Sequence, residues 1–200
     1  MCRRRPPGVL PNMPSPWIVG GVSDFNGDRV PDIAWYNPSN GAIQLWYMTV
    51  GSTTPQFVNV TTPQPNLNKR LVGVGFFNIN GSTDYATADL LWRDQSTGAV
   101  EVWLMSGATR VGIGPISGPL PDLTRSIVGA ADFDKNRSTD IVFRKNGTTG
   151  LTQIQIWLMQ STIPMNIVNP VNLDAESVLG PRPETVRRRA HQPHHRPSTW

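Results

Sequence analysis

Apolar residues along this chain come in short bursts separated by polar turns, and the bursts recur in the same order three times. The first unit reads Trp17-Ile18-Val19-Gly20, then an acidic stretch, then Asp32-Ile33-Ala34-Trp35-Tyr36, then Ile43-Gln44-Leu45-Trp46-Tyr47-Met48. The second reads Leu71-Val72-Gly73, Asp89-Leu90-Leu91-Trp92, and Val100-Glu101-Val102-Trp103-Leu104-Met105. The third reads Ile127-Val128-Gly129, Asp140-Ile141-Val142-Phe143, and Gln155-Ile156-Trp157-Leu158-Met159. Bursts this short predict strands rather than helices. Ile43, Leu45 and Tyr47 alternate with Gln44, Trp46 and Met48, which is the period of a strand with two different faces. Asn40-Gly41 and Thr97-Gly98 are tight-turn signals just before that strand. Gln56 to Val60 reads as a fourth strand, and Val111 to Ile116 as its weaker counterpart.

The period organises the chain. Gly20, Gly73 and Gly129 are spaced by 53 and 56 residues, and Trp46, Trp103 and Trp157 by 57 and 54. Four strands per unit of this length is the pattern of a β-propeller blade, which must stack on neighbours to bury its faces. The expected fold is therefore all-β: three four-stranded propeller-like repeats at about 17–70, 71–125 and 126–176. A basic, Pro-rich segment 1–14 and an Arg/His/Pro-rich segment 177–200 flank them and are expected to be disordered. Val178-Leu179-Gly180 opens a fourth unit 51 residues after Gly129, but Pro181-Arg182-Pro183-Glu184 follows where an acidic loop is due. This predicts a partial propeller, truncated or frame-shifted at one or both ends. Its open blade edges predict self-association.

Composition narrows the function classes. Apolar residues make up 38% of the chain, enough for a core, whereas 18 Gly and 19 Pro disfavour long helices. No apolar run is long enough to span a membrane as a helix. The single cysteine, Cys2, excludes an intrachain disulfide framework and a cysteine zinc cluster. The net charge of +4 comes from the ends, since residues 15–176 hold 10 Lys and Arg against 13 Asp and Glu. That region lacks the basic stripe of a nucleic-acid groove. Arg3, Arg4 and Arg5 are followed by prolines and no apolar stretch, so this start does not read as a signal peptide. Either the chain is intracellular or its true start lies upstream. All three histidines, His191, His194 and His195, lie in the tail, which leaves no Ser-His-Asp arrangement in the repeats. Gly112-x-Gly114 precedes Pro115 and reads as a turn, not a phosphate loop. No catalytic constellation emerges, and a non-enzymatic protein is expected. The recurring Trp residues read as inter-blade packing in preference to a sugar-stacking surface.

The acidic stretches carry the candidate chemistry. Asp24, Asn26, Asp28 and Asp32 occupy positions 1, 3, 5 and 9 of the first loop. Asp132, Asp134, Asn136 and Asp140 repeat that spacing in the third. Alternate oxygen side chains in a tight loop suit a hard cation, and calcium takes six to eight oxygen ligands, often with a backbone carbonyl. The carbonyls of Val30 and Ser138, at position 7, are candidates for that role. The loops begin like an EF-hand but lack its closing Glu, since position 12 is Trp35 or Phe143. The competing reading is an acidic turn capped by its own Asx side chains. The second loop departs from the pattern. Asn78, Asn80, Ser82, Asp84 and Asp89 form a weaker candidate with extra residues before the last Asp.

These loops and the Trp-Leu-Met strands resemble the FG-GAP/VCBS-type repeats of calcium-binding β-propellers, integrin-α-like repeats among them. The resemblance covers roughly residues 17–176. It implies Ca2+ in the loop between the first two strands of a blade. It also implies an extracellular setting and a role in adhesion or recognition, with a glycan or a protein as ligand. The alternative is a structural accessory segment of a larger secreted enzyme with no ligand of its own. Propellers of that kind close with about seven blades, whereas three are legible here.

Overall fold

The structure, a computed structural model, describes residues 9–77, 87–117, 123–146 and 152–169. It is all-β, with no helix among the described residues. Among the described residues, twelve strands form three four-stranded antiparallel sheets. The first sheet holds β1 (Ile18–Ser23), β2 (Asp32–Tyr36), β3 (Ile43–Tyr47) and β4 (Gln56–Asn59). The second holds β5 (Lys69–Gly75), β6 (Asp89–Asp94), β7 (Val100–Ser106) and β8 (Thr109–Pro115). The third holds β9 (Arg125–Ala131), β10 (Asp140–Asn146), β11 (Thr152–Gln160) and β12 (Ile163–Val168). Each sheet is a meander in chain order, as the repeat pattern predicts for a blade. The expected strands of the three units are present, the weak Val111–Ile116 segment among them as most of β8, whereas Val178-Leu179-Gly180 lies outside the described residues. Gly112 and Gly114 do not form the expected turn: they lie within β8 and pair with Leu104 and Val102, because the ladder with β7 holds them extended.

The tight turns that join the second and third strands also match between blades. Gly41 and Gly98 take the left-handed backbone, at φ 74° and 78°. Asn37 and Asp94 close these turns: each donates its N–H to a carbonyl five residues on, Ala42 or Ala99. Each also accepts the N–H of that glycine on its own carbonyl.

Pairing refines the repeat alignment by one residue in the first unit. Gly21, not Gly20, is the counterpart of Gly73 and Gly129: they pair with Ala34, Leu91 and Val142 respectively. Gly20, Val72 and Val128 share the preceding position, where each first strand bulges out of register. The first unit is glycine there because the next blade comes close, and a Cβ on Gly20 would lie 2.1 Å from the Leu71 side chain.

The first strands lie side by side, β1 on β5 and β5 on β9, so the blades stack around a common axis. Two apolar cores fill the gaps. Between the first and second blades lie Phe25, Tyr36 and Leu45 from one side and Leu90, Trp92 and Trp103 from the other. Between the second and third lie Phe77, Leu91 and Val102 facing Ile141, Phe143 and Trp157. Each such side chain contributes about 1.5–3 kcal/mol by its burial. The recurring aromatics are packing residues: Trp46, Trp103 and Trp157 are all at most 2% exposed. Each meets an aromatic of the neighbouring strand, Trp35, Trp92 or Phe143, with ring centroids 4.8–5.0 Å apart.

Backbone bonds join the blades at the loop end. Ala88 N donates to the Asp24 carbonyl at 2.8 Å, and Thr139 N donates to the Phe76 carbonyl at 2.9 Å. Phe76 N returns a bond to Thr139 Oγ1 at 2.8 Å.

Candidate metal centre

In the third loop the carboxylates of Asp132, Asp134 and Asp140 converge, each offering an oxygen within 4.8 Å of the others. Among the described residues no other three acidic side chains are brought together in this way. Asp132 and Asp134 are exposed and Asp140 is fully buried, so the cluster opens to solvent on one side. This acidic cluster is a group that could hold a metal ion.

The loop backbone explains the convergence. Lys135 and Arg137 take left-handed φ values of 63° and 74°, as Gly27 and Arg29 do at the same positions of the first loop, at 84° and 66°. Left-handed residues at alternate positions curl the loop so that successive N–H groups point inward. Asn136 N donates to Asp132 Oδ1 and to Asp134 Oδ1, both at 3.1 Å, and Arg137 N donates to Asp132 Oδ2 at 2.9 Å. The Asn136 amide donates to the Met159 carbonyl at 2.8 Å, and its oxygen accepts Ser138 N at 2.7 Å. Ser138 is buried, and its hydroxyl accepts Ser161 N at 3.0 Å from the β11–β12 turn.

The first loop has the same turn with a different balance. Asp24 takes three N–H groups: Asn26 and Gly27 on Oδ1 at 3.2 and 2.7 Å, and Arg29 on Oδ2 at 2.7 Å. Asn26 receives Asp28 N, and Asp28 receives both Val30 N and the Asn26 amide. The Asx-capped turn is thus realised in both loops. It does not by itself exhaust the oxygens, since a carboxylate carries about four lone-pair sites.

The last Asp of each loop does something the spacing did not reveal. Asp32 accepts Phe25 N at 2.9 Å on one oxygen and Met48 N at 2.8 Å on the other. Asp140 accepts Phe133 N at 2.6 Å and Met159 N at 2.7 Å. Asp89 accepts Phe77 N at 3.0 Å and Met105 N at 2.8 Å. In every blade this carboxylate ties the loop to the end of the third strand. Burial raises the carboxyls of Asp32 and Asp140 above their ordinary range, and the neighbouring carboxylates add to the rise. The two backbone N–H groups on each oppose it.

The clamp also fixes the frame of the second loop. Phe77 plays the part of Phe25 and Phe133, so Phe76 stands where Asp24 and Asp132 stand. Asn78, Asn80, Ser82 and Asp84 lie outside the described residues, and Asp89 is the one described member of that weaker set. The sequence signal for the clamp was the persistence of Asp89 where the rest of the acidic pattern has lapsed.

A second latch recurs on the third strands. Trp46, Trp103 and Trp157 donate their ring N–H to Gln44, Glu101 and Gln155, two residues earlier, at 2.8, 3.2 and 3.1 Å. Glu101 also pairs with Lys69 at 2.5 Å. Asp89 and Glu101 are thus both engaged in holding the blade.

Beside the third loop, an open cleft of about 560 Å³ runs across the ends of β1, β5 and β9. Val22, Val74 and Ala130 line it, with Asp132 and Arg137 at its rim. Comparison with protein-family models, curated proteins and solved structures gives no match to this chain.

Proposed function

We propose that this protein is a non-enzymatic, calcium-binding β-propeller repeat module that supports recognition of a glycan or protein. The observation that carries the reading is the convergence of Asp132, Asp134 and Asp140 in the third loop. Three carboxylates this close repel one another, and burial adds to the penalty on Asp140. A divalent cation relieves both effects. The donor set is all oxygen, which suits a hard cation: the three carboxylates, the Asn136 amide oxygen and the Ser138 carbonyl. Bound there, calcium would supply charge neutralisation and a fixed loop. The first loop, with Asp24, Asn26, Asp28, Asp32 and the Val30 carbonyl, carries the same spacing and is a second, weaker candidate, because its three carboxylates do not converge as those of the third loop do. The cleft at the inner-strand ends, rimmed by Asp132 and Arg137, is the natural place for a ligand held next to a metal-stiffened loop.

The test is thermal unfolding of the full chain in millimolar calcium and in chelator. A cation that binds only the folded state raises the midpoint by mass action. The expected result is a clear rise that Asp134→Ala reduces, while that variant unfolds like the parent in chelator. An unchanged midpoint in the parent would sink the calcium reading. A glycan array read in calcium and in chelator then tests recognition, for which a saturable, calcium-dependent hit is expected.

A further inference from the structure

The end of the blade stack away from the acidic loops gathers cations at one junction. Arg93 lies two residues beyond Leu91 on β6, on the face turned to the third blade, and its guanidinium donates to the Arg125 carbonyl. Arg70 pairs directly with Arg93 across the β5–β6 ladder. On the facing blade Lys145 lies two residues beyond Phe143, and Arg125 pairs directly with it. Directly opposed residues of a ladder share a face. Four cations from four strands therefore face one another across the gap between the second and third blades. No basic stripe is legible along the chain, because only the ladders bring these residues together.

Nothing in the repeat requires them. The same four positions of the first junction hold Ile18, Tyr36, Lys69 and Asp94. There Tyr36 donates to the Lys69 carbonyl as Arg93 donates to that of Arg125, and Lys69 is paired with Glu101. In the third blade Gln155 stands where Glu101 stands in the second. Like charges directly opposed on a ladder destabilise it. The connections that flank the cluster, 116–124 and 147–151, contain one acidic residue between them, Asp122. Arg93 is 5% exposed, and Arg70, Arg125 and Lys145 are half-buried, so salt screens their repulsion less than it would on an open surface.

We propose that this cluster is an oxyanion site, for a sulfate or phosphate group that is free or carried on a sugar. It stands apart from the candidate metal loops and does not depend on calcium. A guanidinium fork matches the oxygens of such a group two at a time, and an ammonium adds a point charge. Arg70 commits Nη1 to the carbonyls of Leu67 and Lys69, which leaves Nε and Nη2 for a ligand. Arg93, anchored on the Arg125 carbonyl, holds the two blades at the spacing that sets the site. The bound group offsets the repulsion that the facing cations otherwise carry.

Isothermal titration calorimetry of the full chain, in chelator and at constant ionic strength, tests this with sodium sulfate, sodium phosphate and a sulfated hexasaccharide. Saturable binding of at least one probe is expected. Lys145→Gln and Arg70→Lys are each expected to weaken it about tenfold, the worth of one charged hydrogen bond. Arg70→Lys keeps the charge and loses only the fork, and urea unfolding in chloride that matches the parent checks that each variant folds. Arg144 is exposed at the same end of β10 but pairs with Ser126 on the other face. Arg144→Gln should therefore leave the affinity within about twofold, as for a screened surface charge. Equal affinity for an inorganic ion and the hexasaccharide supports the site with the free ion as ligand, and tighter binding of the hexasaccharide supports it with the sugar-borne group. Absence of saturable binding by every probe overturns the proposal. So does a loss in Arg144→Gln as large as in Lys145→Gln, which belongs to a diffuse field, or no loss in Lys145→Gln and Arg70→Lys.

Discussion

Asp89 Oδ1 accepts the backbone N–H of Met105 at 2.8 Å, joining the start of the second strand of the middle blade to the end of the third. With Phe77 N on the other oxygen, one carboxylate satisfies two buried donors. An unpaired buried N–H costs about 1–3 kcal/mol. Asp89→Ala is therefore expected to lower stability by about 2–5 kcal/mol in urea unfolding, by the same amount in calcium and in chelator. Asp89→Asn, which keeps an acceptor, should lose less. Equal stability of the parent and the alanine variant would show that the clamp does not matter.

Asp94 gives a pH signature remote from the acidic loops. It is buried and accepts the Ser96 hydroxyl at 2.6 Å, Ser96 N at 2.8 Å and Thr97 N at 3.1 Å. The Ser96 hydroxyl is the main cause of its lowered pKa; burial opposes, and the backbone N–H groups assist. A depressed carboxyl pKa contributes stability above the ordinary value of 3.8 and loses it as pH falls through the lower, folded-state value. Asp94→Ala should cost about 1–2 kcal/mol at neutral pH. The gap from the parent should narrow only below pH 3.8, as read from denaturant midpoints across an acid series. A gap that closes well above that pH would contradict the assignment.

Gly75 marks a close approach of the second and third blades. A Cβ there would lie 2.4 Å from Thr139 Oγ1 and 2.8 Å from Thr139 Cβ. Thr139 has little room to move, because its hydroxyl holds Phe76 N and its own N–H holds the Phe76 carbonyl. Gly75→Ala is expected to destabilise by about 1–3 kcal/mol, the usual range for overpacking. Ser23 holds the same place in the first blade, so Gly75→Ser is the informative companion, and it should be no better tolerated than alanine.

Lys135 occupies a left-handed position that the first loop gives to Gly27. A side chain there costs about 1–2 kcal/mol, part of which glycine returns as unfolded-state freedom. Lys135→Gly should raise stability by about 0.5–1 kcal/mol in chelator. A destabilised variant would mean that the lysine side chain makes a contact worth more than the strain.

The three blades follow from local sequence pattern. Strand boundaries, turn glycines and the three-fold recurrence were legible because alternation and turn chemistry are local, and the recurring Trp-Leu-Met strand fixed which faces pack. The acidic spacing located two loops, and the structure draws three carboxylates together in the third. Tertiary structure decided what spacing cannot express. Asp32, Asp89 and Asp140 are clamps on residues as many as 19 positions away, a relation set by strand pairing across the blade. The counterpart of Gly73 in the first unit is Gly21 because a bulge, visible only in the ladder, absorbs Gly20. The burial of Phe25 and Phe77 and the exposure of Phe133 follow from which blade has a neighbour. That difference lies in packing between units, which the pattern shared by the three units does not record.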